Sequence, residues 1–597
     1  VSKTVETMIT AFRDGFQSAY GARVLTQDFL PAVEATVEAG IRHFEAGGGA
    51  RFQSLFFYCQ ENAFDMMDAF RAAAPDANLQ TLSRGVNVVG LDSQSSDIVR
   101  LHAQLFKKHG MTTIRNFDAL NDVNNLIFSG QCIHEAGLHH EVVVSMMALP
   151  PGCEGAHNPD FYEKNLRDIL DAGIPYSSVC FKDASGTATP STVHESIRRA
   201  RAMLPEGTRI SFHTHDTAGT GILCYKAAVE AGADQIDLSM APVSGGTCQP
   251  DVISMWHALR GSGYELDVDI DRMVVASDVL RECMKDYFMP PEAKEVEPMI
   301  PFCPMPGGAL TANTQMLRDN GIMDKYSEII RAMGEVVRKG GFGTSVTPVS
   351  QFYFQQAFNN VMMGPWNKIA DGYGKMVLGY FGRTPTAPDP EVIRIASEQL
   401  KLEPTTLPVL KLNDADPGKG IEPAKQMLRD AGITDLSDEN IFIAATCKEK
   451  GIDFLMGKAQ LGVRMKQADA SDTPSEPSGP KRVTVNGRSF LVELSEGKAL
   501  VNGNSYQVSV SDGVGDTAMS GGDSGGGGEV IKSQTPGKVF KLLVSEGAQV
   551  QKGQVMMILE AMKMEVEIQA PREGQVTKIS VEVGGQVKSG QALLSLL

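Results

Sequence analysis

The sequence predicts an α/β chain: a (β/α)₈ TIM barrel with a helical C-terminal extension, followed by a small all-β domain. Three observations predict it. Through about the first 290 residues, amphipathic runs end in an acidic residue and Ala-Gly, then a short β-rich run follows, as at Glu38-Ala39-Gly40, Glu135-Ala136-Gly137, Asp171-Ala172-Gly173 and Glu230-Ala231-Gly232. Glycine after the last helical turn takes the left-handed C-cap, and a buried parallel strand begins. Eight such β-rich runs fit into about 240 residues, which favours a closed barrel over an open sheet. Near the C-terminus one pattern occurs twice, 37 positions apart: Gly547-Ala548-Gln549-Val550-Gln551-Lys552-Gly553-Gln554 returns as Gly584-Gly585-Gln586-Val587-Lys588-Ser589-Gly590-Gln591, and Gly537, Val539 and Val544 return as Gly574, Val576 and Val581. Two similar β-halves facing each other follow from it.

In order, the expected barrel strands are Thr4–Phe12, Ile41–Glu45, Leu79–Arg84, Thr112–Phe117, Glu141–Met147, Ser177–Phe181, Arg209–Thr214 and Gln235–Ser239, within a barrel domain 1–290. Domain 291–466 reads as helical (Asp319–Arg338, Thr347–Gly364, Asp389–Leu400, Asn440–Ala459), packed at the barrel mouth. Residues 467–480 and 511–528 have too few apolar groups to order themselves and are expected linkers around a small β-rich piece, 481–510. The second linker has an end-to-end distance of roughly 20–25 Å and a stretched reach of about 60 Å, useful only to a domain that travels. That domain is 529–597, with Lys563 at the turn between its halves, in Ala561-Met562-Lys563-Met564.

Composition narrows the function classes. With 597 residues, 42% apolar and 21% charged, the chain reads as several globular units without a membrane span. Its N-terminus, Val1 to Phe16, lacks the pattern of a signal peptide, so the expected address is cytoplasmic. Nine scattered cysteines show no zinc-ligand spacing and read as free thiols, and a net charge of −17 argues against nucleic acid as a partner.

In a barrel, functional side chains belong at the C-terminal ends of strands. His213 and His215, two apart on a strand, present both imidazoles to one face, which suits two ligands of one metal or a hydrogen-bonded pair at the rim. Asp14, Lys182, Arg84 and Arg115 fall at or near the ends of strands one, six, three and four. Lys182 reads either as a metal-site residue or as the partner of Asp14, and Arg84 as an anion site or a structural ion pair.

The segment around Lys563 resembles the biotin carrier domain, whose Ala-Met-Lys-Met motif is read by biotin protein ligase; lipoyl domains share the fold but usually lack the paired methionines. The resemblance implies a biotinyl domain of the flattened-hammerhead type, with covalent biotin on Lys563. The preceding chain resembles the carboxyltransferase domain of pyruvate carboxylase, transcarboxylase and the oxaloacetate decarboxylase alpha chain, through Arg13-Asp14-Gly15-Phe16-Gln17-Ser18, Lys182-Asp183-Ala184-Ser185-Gly186, His213 to Gly219, Thr247-Cys248-Gln249-Pro250, Met305-Pro306-Gly307-Gly308 and Val346-Thr347-Pro348. By that resemblance Asp14, His213, His215 and a carbamylated Lys182 hold a divalent metal (Zn, Mn or Co). Arg13, Gln17 and Arg84 hold a 2-oxo acid, and Thr247 shuttles the proton. A carbamate supplies an anionic oxygen where an ammonium would repel the ion, and the guanidinium fork suits a carboxylate. The chain departs from the family at Phe16 (a histidine there), at Gly47 and Arg51 (tryptophan and threonine) and at Ala309 (glutamine), positions expected to reshape the substrate or biotin pocket.

The resemblance makes the chain a biotin-dependent carboxyltransferase acting on pyruvate or oxaloacetate, of the type of the pyruvate carboxylase B subunit. No phosphate loop of the Walker type is present, so a separate biotin carboxylase must recharge the biotin. The alternative partner is a membrane decarboxylase, with this chain as the alpha chain of a sodium-pumping complex at the inner membrane. A homo-oligomer is expected. Another 2-oxo acid as acceptor, and a metal-dependent aldol or Claisen lyase of the same barrel superfamily, are the remaining enzymatic readings, and a biotin-bearing scaffold is the non-enzymatic one.

Overall fold

A computed structural model describes residues 2–466 and, beyond them, 481–485, 488–495, 498–501, 504–507, 529–533, 537–561, 564–588 and 590–597. The expected linkers 467–480 and 511–528, and Lys563, lie outside the described residues.

Residues through Met465 pack as one compact unit. Its centre is a closed barrel of eight parallel strands, β1 Lys3–Ile9, β2 His43–Gly48, β3 Asn78–Ser83, β4 Thr113–Asn116, β5 His139–Ser145, β6 Ser178–Asp183, β7 Arg209–Thr214 and β8 Gln235–Leu238. β1 closes the ring, pairing with β8 (Thr7↔Ile236) and with β2 (Met8↔His43). All eight expected strands form, each within three residues of its expected ends. A ninth, β9 Tyr264–Leu266, runs parallel beside the start of β1. The expected first strand extended to Phe12, but the chain leaves the sheet after Ile9 and makes a wide helical turn of the π type, Ala11–Gly15. Such turns re-aim side chains at functional sites, and this one carries Arg13 and Asp14.

Outside the wall, Phe12, Phe16, Phe29, Phe44 and Phe70 meet at centroid distances of 5.3–6.1 Å under the helices Thr26–Glu38 and Ala63–Ala73. Each buried ring contributes roughly 1.5–3 kcal/mol, so this layer fixes the β1–β2 sector firmly.

The helical region comprises Gly307–Asp319, Tyr326–Lys339, Val349–Met363, Asp371–Val377, Pro390–Leu400, Val409–Ala415, Ile421–Asp430 and Asp438–Leu455. Its first part covers the C-terminal ends of the strands: Thr344 N donates to Ala119 O (2.8 Å), His157 Nε2 to Phe342 O (2.8 Å) and Thr247 N to Ala293 O (3.1 Å). Two expectations need correction. Asp319–Arg338 is not one helix, because Asn320 and Gly321 (φ +67°) end the first helix and the next begins at Tyr326. The last helix does not continue the cover over the mouth. Phe442 packs it on the barrel flank against Phe52, Phe64 and Phe106 (5.6–6.3 Å), and the helix breaks at Lys448 (φ +50°).

Of the β-rich chain beyond, Lys481–Val485, Arg488–Ser495, Lys498–Val501 and Asn504–Gln507 form an antiparallel meander. Residues 529–597 form two four-stranded sheets, with strands in the spatial order Glu529–Lys532, Ala592–Leu596, Gly574–Ile579, Gln549–Val550 and Met564–Gln569, Val555–Ala561, Gly537–Leu542, Gln586–Val587. The 37-residue repeat exchanges the two sheets strand for strand. It also maps Val539, Val550, Met556, Met557 and Leu559 onto Val576, Val587, Leu593, Leu594 and Leu596, all buried in one core.

Candidate metal centre and active site

The residues expected at the metal converge at the C-terminal end of the barrel. Asp14 Oδ2 lies 3.3 Å from His213 Nε2 and 3.4 Å from His215 Nε2, and the three ligand atoms fall within 4.8 Å of one another. Both imidazoles are oriented from behind. His213 Nδ1 donates to Asp237 Oδ2 (2.8 Å) and His215 Nδ1 to the Thr247 carbonyl (2.6 Å), so both Nε2 lone pairs point at Asp14 Oδ2. Two lone pairs and a carboxylate oxygen aimed at one another repel unless a cation sits among them, and this donor set suits a divalent ion.

Lys182, at the end of β6, is buried with Nζ 3.9 Å from Asp14 Oδ2 and without a hydrogen bond. Burial, only partly offset by Asp14 and Glu45, pushes its pKa down, the direction that favours the amine form carbamylation requires. Burial opposes ionisation of Asp14, but the neighbouring charges, that of Arg13 foremost, outweigh it and hold the carboxyl well below the usual range. Burial, then the neighbouring Lys182, pushes His213 down, keeping it in the neutral form that binds metal.

The three expected oxo-acid residues are not alike. Arg13 is committed: it is ion-paired with Glu45 and lies 3.3 Å from Asp14, and its Nη1 donates to Gln17 Oε1 (3.1 Å). Arg84 is buried yet donates only to backbone, from Nη1 to Val89 O (2.7 Å) and Gly90 O (3.0 Å), while Nε has no partner. Burial, and then the charge of Arg13, pushes its guanidinium down to about 9. A buried arginine without a carboxylate is a cation short of an anion.

Thr247 is buried, and its hydroxyl lies 3.1 Å from both the Ser18 and Ala293 carbonyls and accepts from Thr311 Oγ1 at 3.4 Å. A Cβ on Gly307 would come within 1.7 Å of the Thr247 carbonyl, so the helix Gly307–Asp319 can close on this loop only with glycine there. The same carbonyl orients His215, which gives Gly307 of the Met-Pro-Gly-Gly motif a structural role.

Three neighbours escaped the sequence reading. Gln249 Nε2 donates to Asp14 Oδ2 (3.2 Å) and lies 3.0 Å from His215 Nε2, while its Oε1 accepts from Thr10 Oγ1 (2.7 Å). Glu45 neutralises Arg13. Asp237 holds His213 and is itself ion-paired with Arg115, which also pairs with Glu141. Arg115 therefore belongs to a charged layer inside the barrel, below the rim where its position near the end of β4 had placed it. The available signal was parity: Asp237 and Gln235, two apart in β8, take inward positions, like Glu141 and Ser211.

The departures at Phe16 and Arg51 do not line the site. Phe16 is buried in the aromatic layer, and Arg51 lies over its ring and that of Phe29 (5.8 and 5.6 Å) with Nη1 donating to Ala22 O (2.7 Å). The two substitutions pack against each other behind the wall. Gly47, Gly48 and Gly49 all have positive φ (77°, 75° and 57°), and a Cβ at Gly49 would lie 3.4 Å from Arg13 Nη1 and Gln17 Oε1, so this run does border the site.

Three families match the chain in succession: "HMGL-like" over residues 145–280, "Conserved carboxylase domain" over 300–502 and "Biotin-requiring enzyme" over 528–596. The chain is 28% identical over 563 residues to the B subunit of pyruvate carboxylase from Methanocaldococcus jannaschii, covering 94% of each. It is 29% identical to the methylmalonyl-CoA carboxyltransferase 5S subunit of Propionibacterium freudenreichii subsp. shermanii, over 68% of this chain and 79% of that one. Among solved structures, the carboxyl transferase domain of Rhizobium etli pyruvate carboxylase with pyruvate and biocytin superposes with a TM-score of 0.69 at 22% identity, over 85% of this chain and 89% of that one, a likeness of fold. No helix among the described residues is long and apolar enough to cross a membrane.

Proposed function

We propose that the chain is a biotin-dependent carboxyltransferase that moves a carboxyl group between biotin on Lys563 and a 2-oxo acid, pyruvate or oxaloacetate, a reading supported by its successive matches to a carboxylase domain and a biotin-requiring domain. One observation carries the reading: Asp14, His213 and His215 converge, with Lys182 buried, without a hydrogen bond and 3.9 Å from Asp14, in a chain that also carries a biotin-requiring domain.

Asp14, His213, His215 and Lys182, the last as its carbamate, hold a divalent cation (Zn, Mn or Co). The cation, when bound, draws electron density from the oxo group. Arg84 binds the carboxylate of the oxo acid, and Gln17, held by Arg13 on the short helix Phe16–Tyr20 that follows the β1 turn, borders it. Glu45 keeps Arg13 neutralised as a pair, so the cationic attraction for substrate rests with Arg84. The Thr247 hydroxyl, turned from the Ser18 or Ala293 carbonyl, relays a proton between biotin nitrogen and the oxo acid's methyl carbon. The helical cover over the barrel mouth excludes water from this exchange.

A separate biotin carboxylase recharges the biotin, biotin protein ligase attaches it, and the enzyme works in the cytoplasm as a homo-oligomer. The test supplies the biotin-loaded chain with biotin carboxylase, ATP and labelled bicarbonate, then asks which 2-oxo acid takes label. Label in oxaloacetate after addition of pyruvate is expected; labelled biotin with no label in any oxo acid sinks the reading.

A further inference from the structure

Arg84 opens a turn that is strained and held from a distance. Val88, a β-branched residue, sits at φ +45°, ψ −103°, a conformation that persists only where surrounding contacts impose it. Within the turn, Arg84 N donates to Val88 O (2.9 Å), and the guanidinium donates to Val89 and Gly90. Gln94 N then closes it on Val86 O (2.7 Å). Gln94 is the pivot, because its carbonyl accepts from Asn413 Nδ2 (2.8 Å).

Asn413, buried on the helix Val409–Ala415, grips the preceding residue too, accepting from Ser93 Oγ (3.0 Å). Lys419 Nζ locks both partners, donating to Ser93 O (2.8 Å) and Asn413 Oδ1 (2.7 Å). The grip extends outward: Ser96 N donates to Asp414 Oδ1 (2.7 Å), Ile421 N to Asp97 Oδ2 (2.8 Å), and Lys448 pairs with Asp92. Close approach is built in, since a Cβ on Gly420 (φ +112°) would lie 3.0 Å from Asp97 Oδ2. None of these residues faces the metal ligands. Their shared target is the segment that shapes the Arg84 turn.

We propose that Asn413 and Lys419 are positioning residues for Arg84: the helical region, 320 positions along the chain from Ser93, sets the affinity for the oxo acid's carboxylate by imposing the strained turn. The proposal rests on the reading of Arg84 as the carboxylate's cation. Release of the grip lets Val88 relax and swings the guanidinium out of register, weakening substrate binding and leaving metal and biotin untouched.

The test measures pyruvate Kd by calorimetry, with KM and kcat, on the biotin-loaded full chain and on Asn413→Ala, Lys419→Met, Arg84→Lys and each grip variant combined with Arg84→Lys. Loss of the two bonds of Asn413 should raise Kd and KM about tenfold, and loss of Lys419 about threefold, with kcat within about twofold and metal content unchanged. In the Arg84→Lys background neither should raise Kd further, because interacting sites are not additive. Unchanged Kd in both single grip variants, with Arg84→Lys weakening binding, overturns the grip alone. Unchanged Kd in Arg84→Lys overturns the carboxylate reading beneath it. Equal weakening with and without Arg84→Lys shows a general packing effect and overturns the proposal as well. If Asn413→Ala fails to fold, Lys419→Met, at the half-buried edge of the grip, decides it.

Discussion

Asp237→Asn isolates how the barrel interior controls the metal site, because Asp237 is not itself one of the expected ligands but holds one of them from behind. Its carboxylate accepts from His213 Nδ1 at 2.8 Å and is ion-paired with Arg115. An asparagine offers one acceptor and one donor. If its amide N–H turns toward His213, the ring must carry its proton on Nε2, and the lone pair aimed at the metal is lost. Removing such an orienting partner costs roughly 10–100-fold in metal affinity, or about 1.4–2.7 kcal/mol. Arg115 loses one of two buried carboxylates; breaking such a pair outright costs roughly 3–5 kcal/mol, and with Glu141 still bound the loss should be nearer 2 kcal/mol. The assay is titration of the metal-free enzyme with cobalt(II) against a chromogenic chelator, alongside denaturant unfolding. Asp234→Asn, on the same segment but bonded to Arg201, is the control and should bind cobalt like wild type. Equal cobalt affinity in Asp237→Asn and wild type would refute the claim that Asp237 fixes the tautomer of His213.

Other perturbations separate the parts of the proposed cycle. Lys563→Arg should abolish avidin binding and carboxyl transfer together while leaving metal content unchanged; transfer that survives would place biotin elsewhere. Thr247→Ala should cost roughly 10²–10⁴-fold in transfer and Thr247→Ser far less, with metal content constant in both, since the backbone carbonyl and not the side chain orients His215. Burial pushes His157 and His140 down to about 4, below their unfolded value near 6.5. Their contribution to stability is therefore complete above about pH 6.5 and lost as pH falls toward 4, by up to roughly 3 kcal/mol each. Unfolding at stepped pH should show that acid limb, and His157→Gln should flatten it; a limb unchanged by the substitution would assign acid lability elsewhere.

Much of this protein is legible in one dimension. Local rules write the barrel: glycine C-caps after helices such as 26–38 and a period of two that puts His213 and His215 on one face, so all eight strands could be placed from the chain. The 37-residue repeat likewise reports two interchangeable sheets, because equal sequences solve the same packing problem twice. What needed tertiary structure was partnership. Arg13 and Arg84 look alike as residues at strand ends, yet Glu45 neutralises the first and no carboxylate among the described residues pairs with the second, a difference set by which strands the ring brings together. Phe16 and Arg51 look like altered site residues until the fold sets them against each other behind the wall. Asn413 and Lys419 carry no motif at all. Local chemistry is written in neighbours along the chain, whereas the charge state and rigidity of a buried site depend on groups hundreds of residues away, and only closure of the barrel and its helical cover decides which of them arrive.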